Sequence, residues 1–592
     1  MRSSSQQRAF IFAGIFVAIF LFHAPLLRLP YFWDEAGYYV PAARDILLSG
    51  SLIPQTTVSN AHPPLVMAWI ALWWKLVGYA PLVTRSAMLV IAAFSLFGLF
   101  RLAERAANTE VAIAATLCTA VYPVFFAQSS LAQVDLAAAG LTFWGLCAYL
   151  EDRPIAVALW FSFAVLAKET AIITPIALAV WEFATIALRR FSVERSPFGV
   201  NVALSHRGRG VLQDRDKAVR LEGVPAPAGK LHPVRVMSLL FPLLPLTVWY
   251  AYHYFRTGYV FGNPEFFRYN VASTLNPLRF LLALALRLWQ TFGYLHLWLL
   301  SLFMLLALFL TPVSEKHAEK GAQACPERSR RGCPDEQSSQ TLERARIPIR
   351  TQSVFFVVIA AYVVSMALVG GAVLARYMLP AVPIVIILGV STLRRRLRYW
   401  PAAVALIALA FVAGWYWNPP YGFSPEDNLA YRDYVVLHQN AERFVEARYP
   451  MAHVLTAWPA SDELTRPWLG YITRPVQVAR IEDFSPEQVI SAADFRDHYD
   501  VAFVFSTKYE PEHPLLARWM LSSTNPNGWR ARVFARWQFL KSRFFGYHVD
   551  LPPEAAAHIL GGRIVFAEAR KRQWVAVIEI QKEEILNAED EY

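Results

Sequence analysis

Charge is scarce in this chain. Only 17% of its 592 residues are Asp, Glu, Lys or Arg. A soluble protein of this length does not solvate itself with so little, which excludes an ordinary cytosolic enzyme or a disordered chain. Cysteine is scarcer still, with four residues. Cys118 and Cys147 fall in apolar runs and read as small packing residues. Cys325 and Cys333 sit in a polar stretch where His317 is the sole plausible third ligand, so neither a disulfide framework nor a metal site is expected. No Gly-rich phosphate loop and no internal repeat is evident.

What the chain has is apolar and aromatic mass. It is 56% hydrophobic, with 40 Phe, 25 Tyr and 19 Trp. A spanning helix needs about 20 mostly apolar residues. About eleven runs approach that length: 9–29, 82–102, 110–128, 134–150, 154–168, 170–188, 236–255, 291–311, 353–374, 378–393 and 399–417. The net charge of +11 lies in short loops between them, as in Arg189-Arg190 and Arg394-Arg395-Arg396. That is the positive-inside pattern and calls for no nucleic acid. It predicts a multi-pass protein of the bacterial inner (plasma) membrane, N-terminus cytoplasmic and C-terminus outside, with residues 9–29 retained as a signal anchor.

The expected fold is a polytopic α-helical membrane domain over 1–417 with a second domain over 418–592. The first outer loop spans 30–81. Within it the Trp-rich stretch 63–79, with Trp69, Trp73, Trp74 and Lys75, reads as a helix lying at headgroup level. Residues 189–235 and 312–352 read as polar cytoplasmic insertions, partly disordered. The tail carries strand-like runs at 501–505 and 574–578 and a helix-like stretch at 428–447. This predicts a small extracytoplasmic α/β or α+β domain.

Ionisable groups beside hydrocarbon mark function by default. The triplet Trp33-Asp34-Glu35 directly follows the first apolar run. Either acid serves equally well as a helix N-cap, but their aromatic surroundings, Tyr31, Phe32, Tyr38 and Tyr39, suit a general base. Asp135 begins another apolar run and divides between cap and second acid. His62 precedes Pro63-Pro64 and reads first as a surface residue. Lys168-Glu169 reads as a self-neutralising pair or, with Arg376 and Tyr377, as a phosphate site; Arg376 can also snorkel to the headgroups.

Taken in order, Trp33-Asp34-Glu35, His62-Pro63-Pro64-Leu65, Arg85, Asp135, Leu166-Ala167-Lys168-Glu169 and Arg376-Tyr377-Met378-Leu379-Pro380 resemble the GT-C membrane glycosyltransferases. The resemblance covers roughly 9–393. It is nearest to protein O-mannosyltransferases, lipid A aminoarabinose transferases and the bacterial dolichyl-phosphate-mannose-protein mannosyltransferase-like group. It implies an inverting transferase that takes a sugar from a polyprenyl-phosphate carrier to an envelope glycan, lipid or protein. Asp34 would be the base, Glu35 its helper or an acceptor ligand, and Asp135 the second acid. His62, Arg85, Lys168, Glu169, Arg376 and Tyr377 would contact substrate or carrier phosphate. No cofactor is fixed by the residues, although two nearby acids can hold a divalent cation. The tail has no motif, and an acceptor-binding or partner-docking role is the expectation for it. Two other readings remain: a flippase of lipid-linked sugars, and an envelope-assembly scaffold whose acids are only caps. A transferase gathers Asp34, Asp135, Lys168 and Arg376 around one cavity, whereas a scaffold scatters them.

Overall fold

The computed structural model describes residues 4–194, 233–262, 264, 276–311, 346–369, 373–511, 528–545 and 547–582. Most of insertions 189–235 and 312–352, with His317, Cys325 and Cys333, lies outside them.

The membrane part is helical. Among the described residues, six helices are long and apolar enough to cross a bilayer: Gln6–Leu26, Pro81–Ala106, Glu169–Ala187, Pro233–Thr257, Pro277–Leu308 and Ile349–Leu368. Four shorter apolar helices accompany them, Leu65–Val77, Asp135–Leu150, Pro154–Ala167 and Trp400–Tyr416. Proline opens many of these helices, at Pro81, Pro123, Pro154 and Pro277. Its fixed φ suits the first turn and its missing N–H is not needed there.

Two expected spans are not straight helices. The run 110–128 is a bent pair, Thr109–Val121 and Pro123–Ser130, at 68°. Pro123 drives the preceding Tyr122 out of helical geometry, to ψ 127. The run 291–311 is the second half of a longer element that starts at Pro277. It is interrupted where Leu295 and His296 take positive φ, 43° and 71°. The other expected runs fall on helices. The Trp-rich stretch forms Leu65–Val77, yet Trp74 does not lie at a surface. It is buried and donates its indole N–H to Thr84 Oγ1 at 2.8 Å.

Small residues let the helices approach. A methyl group added at Gly140 would stand 1.9 Å from Ser95 Oγ and 2.9 Å from the Ser95 backbone. Helices Pro81–Ala106 and Asp135–Leu150 therefore meet almost backbone to backbone, as small residues permit in membranes.

The tail folds around a five-stranded mixed sheet. Its strands are β1 His453–Ala457, β2 Gln477–Ile481, β3 Val501–Phe505, β4 Gly562–Arg570 and β5 Gln573–Ile580. The order is β2-β1-β3-β5-β4. β1 pairs parallel with β2 and β3, while β5 pairs antiparallel with β3 and β4. All five residues of β3 are buried, as a central strand covered on both faces requires. Helix Ala430–Arg448 covers one face.

This domain is no appendage. Tyr31, Phe32 and Tyr38 of the first loop share one core with Tyr431, Tyr434, Leu469 and Tyr471. Tyr471 Oη donates to the Tyr31 carbonyl at 2.9 Å, and Tyr79 Oη to that of Trp468 at 2.8 Å. Gly140→Ala tests the helix contact. The substitution forces the two helices apart and should cost about 1–3 kcal/mol. Thermal unfolding of the detergent-purified protein would show a lowered midpoint, and an unchanged midpoint would contradict the close approach.

Candidate functional site: a cation held by three carboxylates

The two adjacent acids point opposite ways. Glu35 is fully buried. It accepts hydrogen bonds from the backbone N–H groups of Phe32, at 2.8 Å, and Ala132, at 2.6 Å. Both terminal nitrogens of Arg85 reach it at 3.3 Å. Arg85 also donates to the carbonyls of Leu29, Pro30 and Ser130. This pair staples the end of the first span to the end of the bent helix. Neither residue lines the cavity described below, where the expected acceptor contact of Glu35 and phosphate contact of Arg85 would lie.

Trp33 sits at φ 45°, and a π-helix runs from Glu35 to Tyr39. Both features are uncommon for such residues and gather at functional sites. They turn Asp34 to the other side of the chain. Its side chain is 31% exposed and makes no cap hydrogen bond. It lines a cavity of about 340 Å³ together with Tyr39, His62, Arg376, Tyr377 and Glu426.

Arg376, in the wall of that cavity, is the centre of an ion-pair cluster. Its Nη2 donates to Asp34 Oδ2 at 2.5 Å, its Nε lies 3.3 Å from Asp135 Oδ2, and its Nη1 bonds Glu426 Oε2. Asp135 is no N-cap either: its other oxygen takes Lys168 Nζ at 2.5 Å. Lys168 Nζ also lies 3.9 Å from the centre of the Tyr377 ring. The expected Lys168-Glu169 self-pairing does not occur, because Glu169 accepts His62 Nδ1 at 3.0 Å instead. Asp34, Asp135, His62, Lys168, Glu169, Arg376 and Tyr377 thus form one connected neighbourhood. Between Asp34 and Asp135 stands the Arg376 guanidinium. Among the described residues, the one cluster with metal-ligand spacing lies elsewhere, in the tail.

Some residues of the site escaped the sequence reading. Glu426 and Asp427 belong to the lead into the tail, where no motif marks them. Gln133 Nε2 donates to Glu426 Oε2 at 2.9 Å, and Tyr294 Oη to Asp427 Oδ2 at 2.6 Å. Arg287 is buried on helix Pro277–Phe292. It donates to the carbonyls of Met366, at 3.2 Å, and Leu374, at 2.8 Å, while Gln290 donates to that of Val373. These bonds fix the backbone just before Arg376. A charge inside an apolar run was the available signal for Arg287.

Burial raises Glu426 above the usual carboxylate range despite Arg376. Burial, and then the neighbouring Glu426 charge, pushes Asp427 up to about 7.

Set beside known proteins, residues 61–205 match the family model described as dolichyl-phosphate-mannose-protein mannosyltransferase. The match bears out the resemblance read from the motifs, and its span includes His62, Arg85, Asp135, Lys168 and Glu169. No curated protein matches. Among solved structures, ArnT from Cupriavidus metallidurans bound to undecaprenyl phosphate is 12% identical. That alignment covers 97% of this chain and 98% of that one, at a TM-score of 0.48. Its apo state is 13% identical over the same shares, at 0.46. The Archaeoglobus fulgidus oligosaccharyltransferase AglB, in complex with an inhibitory peptide and a dolichol-phosphate, is 12% identical. There the shares are 97% of this chain and 75% of that one, at 0.40.

Asp427 makes the site's electrostatics testable. Its folded value near 7 lies above its ordinary 3.8, so the folded state holds the extra proton between those limits. Stability from this group therefore falls as pH rises through that window. Asp427→Asn should flatten the fall. Thermal midpoints of both proteins from about pH 5 to 8 check it, and parallel curves would contradict the assignment.

Proposed function

We propose that this chain is an inverting glycosyltransferase that moves a sugar from a polyprenyl-phosphate carrier to an envelope acceptor at the outer membrane face. The observation that carries the reading is the convergence of a partly exposed carboxylate, Asp34, and a buried cation, Arg376, on one cavity, with Lys168 joined to Arg376 behind the cavity wall through Asp135.

In the proposed reaction Asp34 takes the proton of an acceptor hydroxyl. The hydroxyl oxygen attacks the anomeric carbon from the face opposite the carrier. The bond from that carbon to the phosphate oxygen breaks, and the phosphate leaves with the electron pair. Charge gathers on the leaving oxygen, and preorganised cations stabilise it. In this reading Arg376, backed by Lys168, meets that charge, its planar fork suited to phosphate oxygens. Three carboxylates already surround Arg376. An arriving phosphate must displace one of them or find it protonated, and the raised proton affinity of Glu426 supplies that option.

The lipid part of such a carrier needs an apolar groove. One of about 340 Å³ is lined by Phe12, Trp69, Ile91, Phe94, Trp160 and Phe163. Its wall residue Leu65 follows His62-Pro63-Pro64, which ties the groove to the cavity rim. A scaffold has no use for this convergence. A flippase is expected to break its helices around a midplane site. The breaks here instead abut the lead into the tail, since Gln128 donates to the Glu426 carbonyl and Tyr294 to Asp427.

Two variants test the reading in a transfer assay with polyprenyl-phosphate sugars and envelope fractions. Asp34→Asn keeps shape but takes no proton, so the rate should drop by about 10²–10⁴-fold. Arg376→Lys loses the fork and should impair turnover with a smaller change in acceptor dependence. A folded Asp34→Asn protein with near-normal transfer would sink the assignment of the base.

A further inference from the structure

A second cluster of ionisable groups lies in the tail, away from Arg376. Helix Ala430–Arg448 carries His438 and Glu442 four residues apart, which puts both on one face. Glu463 closes the short helix Ala460–Glu463 that follows β1. All three side chains are fully buried. His438 Nδ1 lies 2.7 Å from Glu463 Oε2 and 3.7 Å from Glu442 Oε1. One ligand atom from each residue lies within 4.8 Å of the others.

The cluster is electrically incomplete. Neither oxygen of Glu442 has a hydrogen-bond donor, and Glu463 Oε1 has none either. Among the described residues, His438 is the only basic group in ion-pair reach of these two carboxylates. Tyr434 Oη, also buried and without a partner, is close enough to feel both charges. Two like charges do not stay ionised and dry without compensation. One shared proton would engage one oxygen of each carboxylate and still leave the second Glu442 oxygen bare. A divalent cation would take the oxygens of both carboxylates together with the imidazole nitrogen.

We infer that His438, Glu442 and Glu463 form a structural metal site for a divalent cation of the zinc type. One imidazole and two carboxylates are a donor set that Zn²⁺ accepts, with water free to fill what remains. The site is placed to hold the tail against the first loop. Tyr434 stacks on the His438 ring at 4.0 Å, and its own ring meets Phe32 at 5.1 Å and Trp33 at 5.6 Å. Trp33 immediately precedes Asp34, so a metal here would stiffen the loop that carries the proposed base.

The test uses full-length protein in detergent, loaded with Zn²⁺ and then dialysed free of excess. Elemental analysis should find about one equivalent per chain, and Glu442→Gln and Glu463→Gln should each lose nearly all of it. Chelation should lower the thermal midpoint of the wild type, and Zn²⁺ but not Mg²⁺ should restore it. X-ray absorption on the wild type alone should show an N/O shell with one imidazole, which keeps the test decisive if the variants fail to fold. Wild type without stoichiometric zinc, variants with equal zinc, or a shell containing sulfur would overturn the site. Metal content and melting do not depend on sugar transfer, so this result stands apart from the proposed reaction.

Discussion

A single guanidinium organises this molecule. Arg376 draws a carboxylate from the first loop, Asp34, one from a helix start, Asp135, and one from the lead into the tail, Glu426. A buried cation without partners costs several kcal/mol, so these distant segments gain by arriving together. The carbonyls held by Arg287 and Gln290 set the backbone that presents it. The balance is not neutral: Arg376 and Lys168 face three carboxylates. Such a site admits a further anion only when a carboxylate yields or takes a proton, and the raised value of Glu426 identifies the group most ready to do so.

The neighbouring acids Asp34 and Glu35 show how one short sequence divides structure from chemistry. Glu35 is spent on Arg85 and two backbone N–H groups, in a setting that tolerates no solvent. That fixed point lets the next residue back face a cavity with partial exposure. The strained Trp33 and the π-helical turn are the local cost, offset by packing against Tyr434 and Trp458 of the tail. The tail therefore shapes the loop from behind and supplies Glu426 from in front.

Much of this was legible in the sequence, for stated reasons. Apolar runs of spanning length located the helices, and β-branched runs located β3 and β5. Acids and bases interrupting apolar sequence singled out Asp34, Asp135, Lys168 and Arg376, because charge beside hydrocarbon needs a reason. The partners were less readable. Glu35 and Arg85 were singled out separately, and only the structure shows them as a buried pair. Lys168 and Glu169 looked like a pair because they are adjacent, but adjacent side chains at an extended residue point apart and found Asp135 and His62 instead. Glu426 and Asp427 were missed because ordinary acids in a polar stretch carry no signal. The break at Leu295 and His296 was missed because non-glycine residues with positive φ are fixed by tertiary contacts. The role of the tail followed from neither composition nor motif, since its shared core with the first loop is a property of packing alone.

The central claim is that Arg376 is a phosphate site guarded by carboxylates. The direct measurement is the affinity of purified protein for undecaprenyl phosphate, before and after Glu426→Gln. Removing one carboxylate from the guanidinium should tighten binding near neutral pH, and the difference should shrink as the pH is lowered and Glu426 in the wild type becomes protonated. Equal affinity of the two proteins across the pH range, or weaker binding by Glu426→Gln, would contradict the claim.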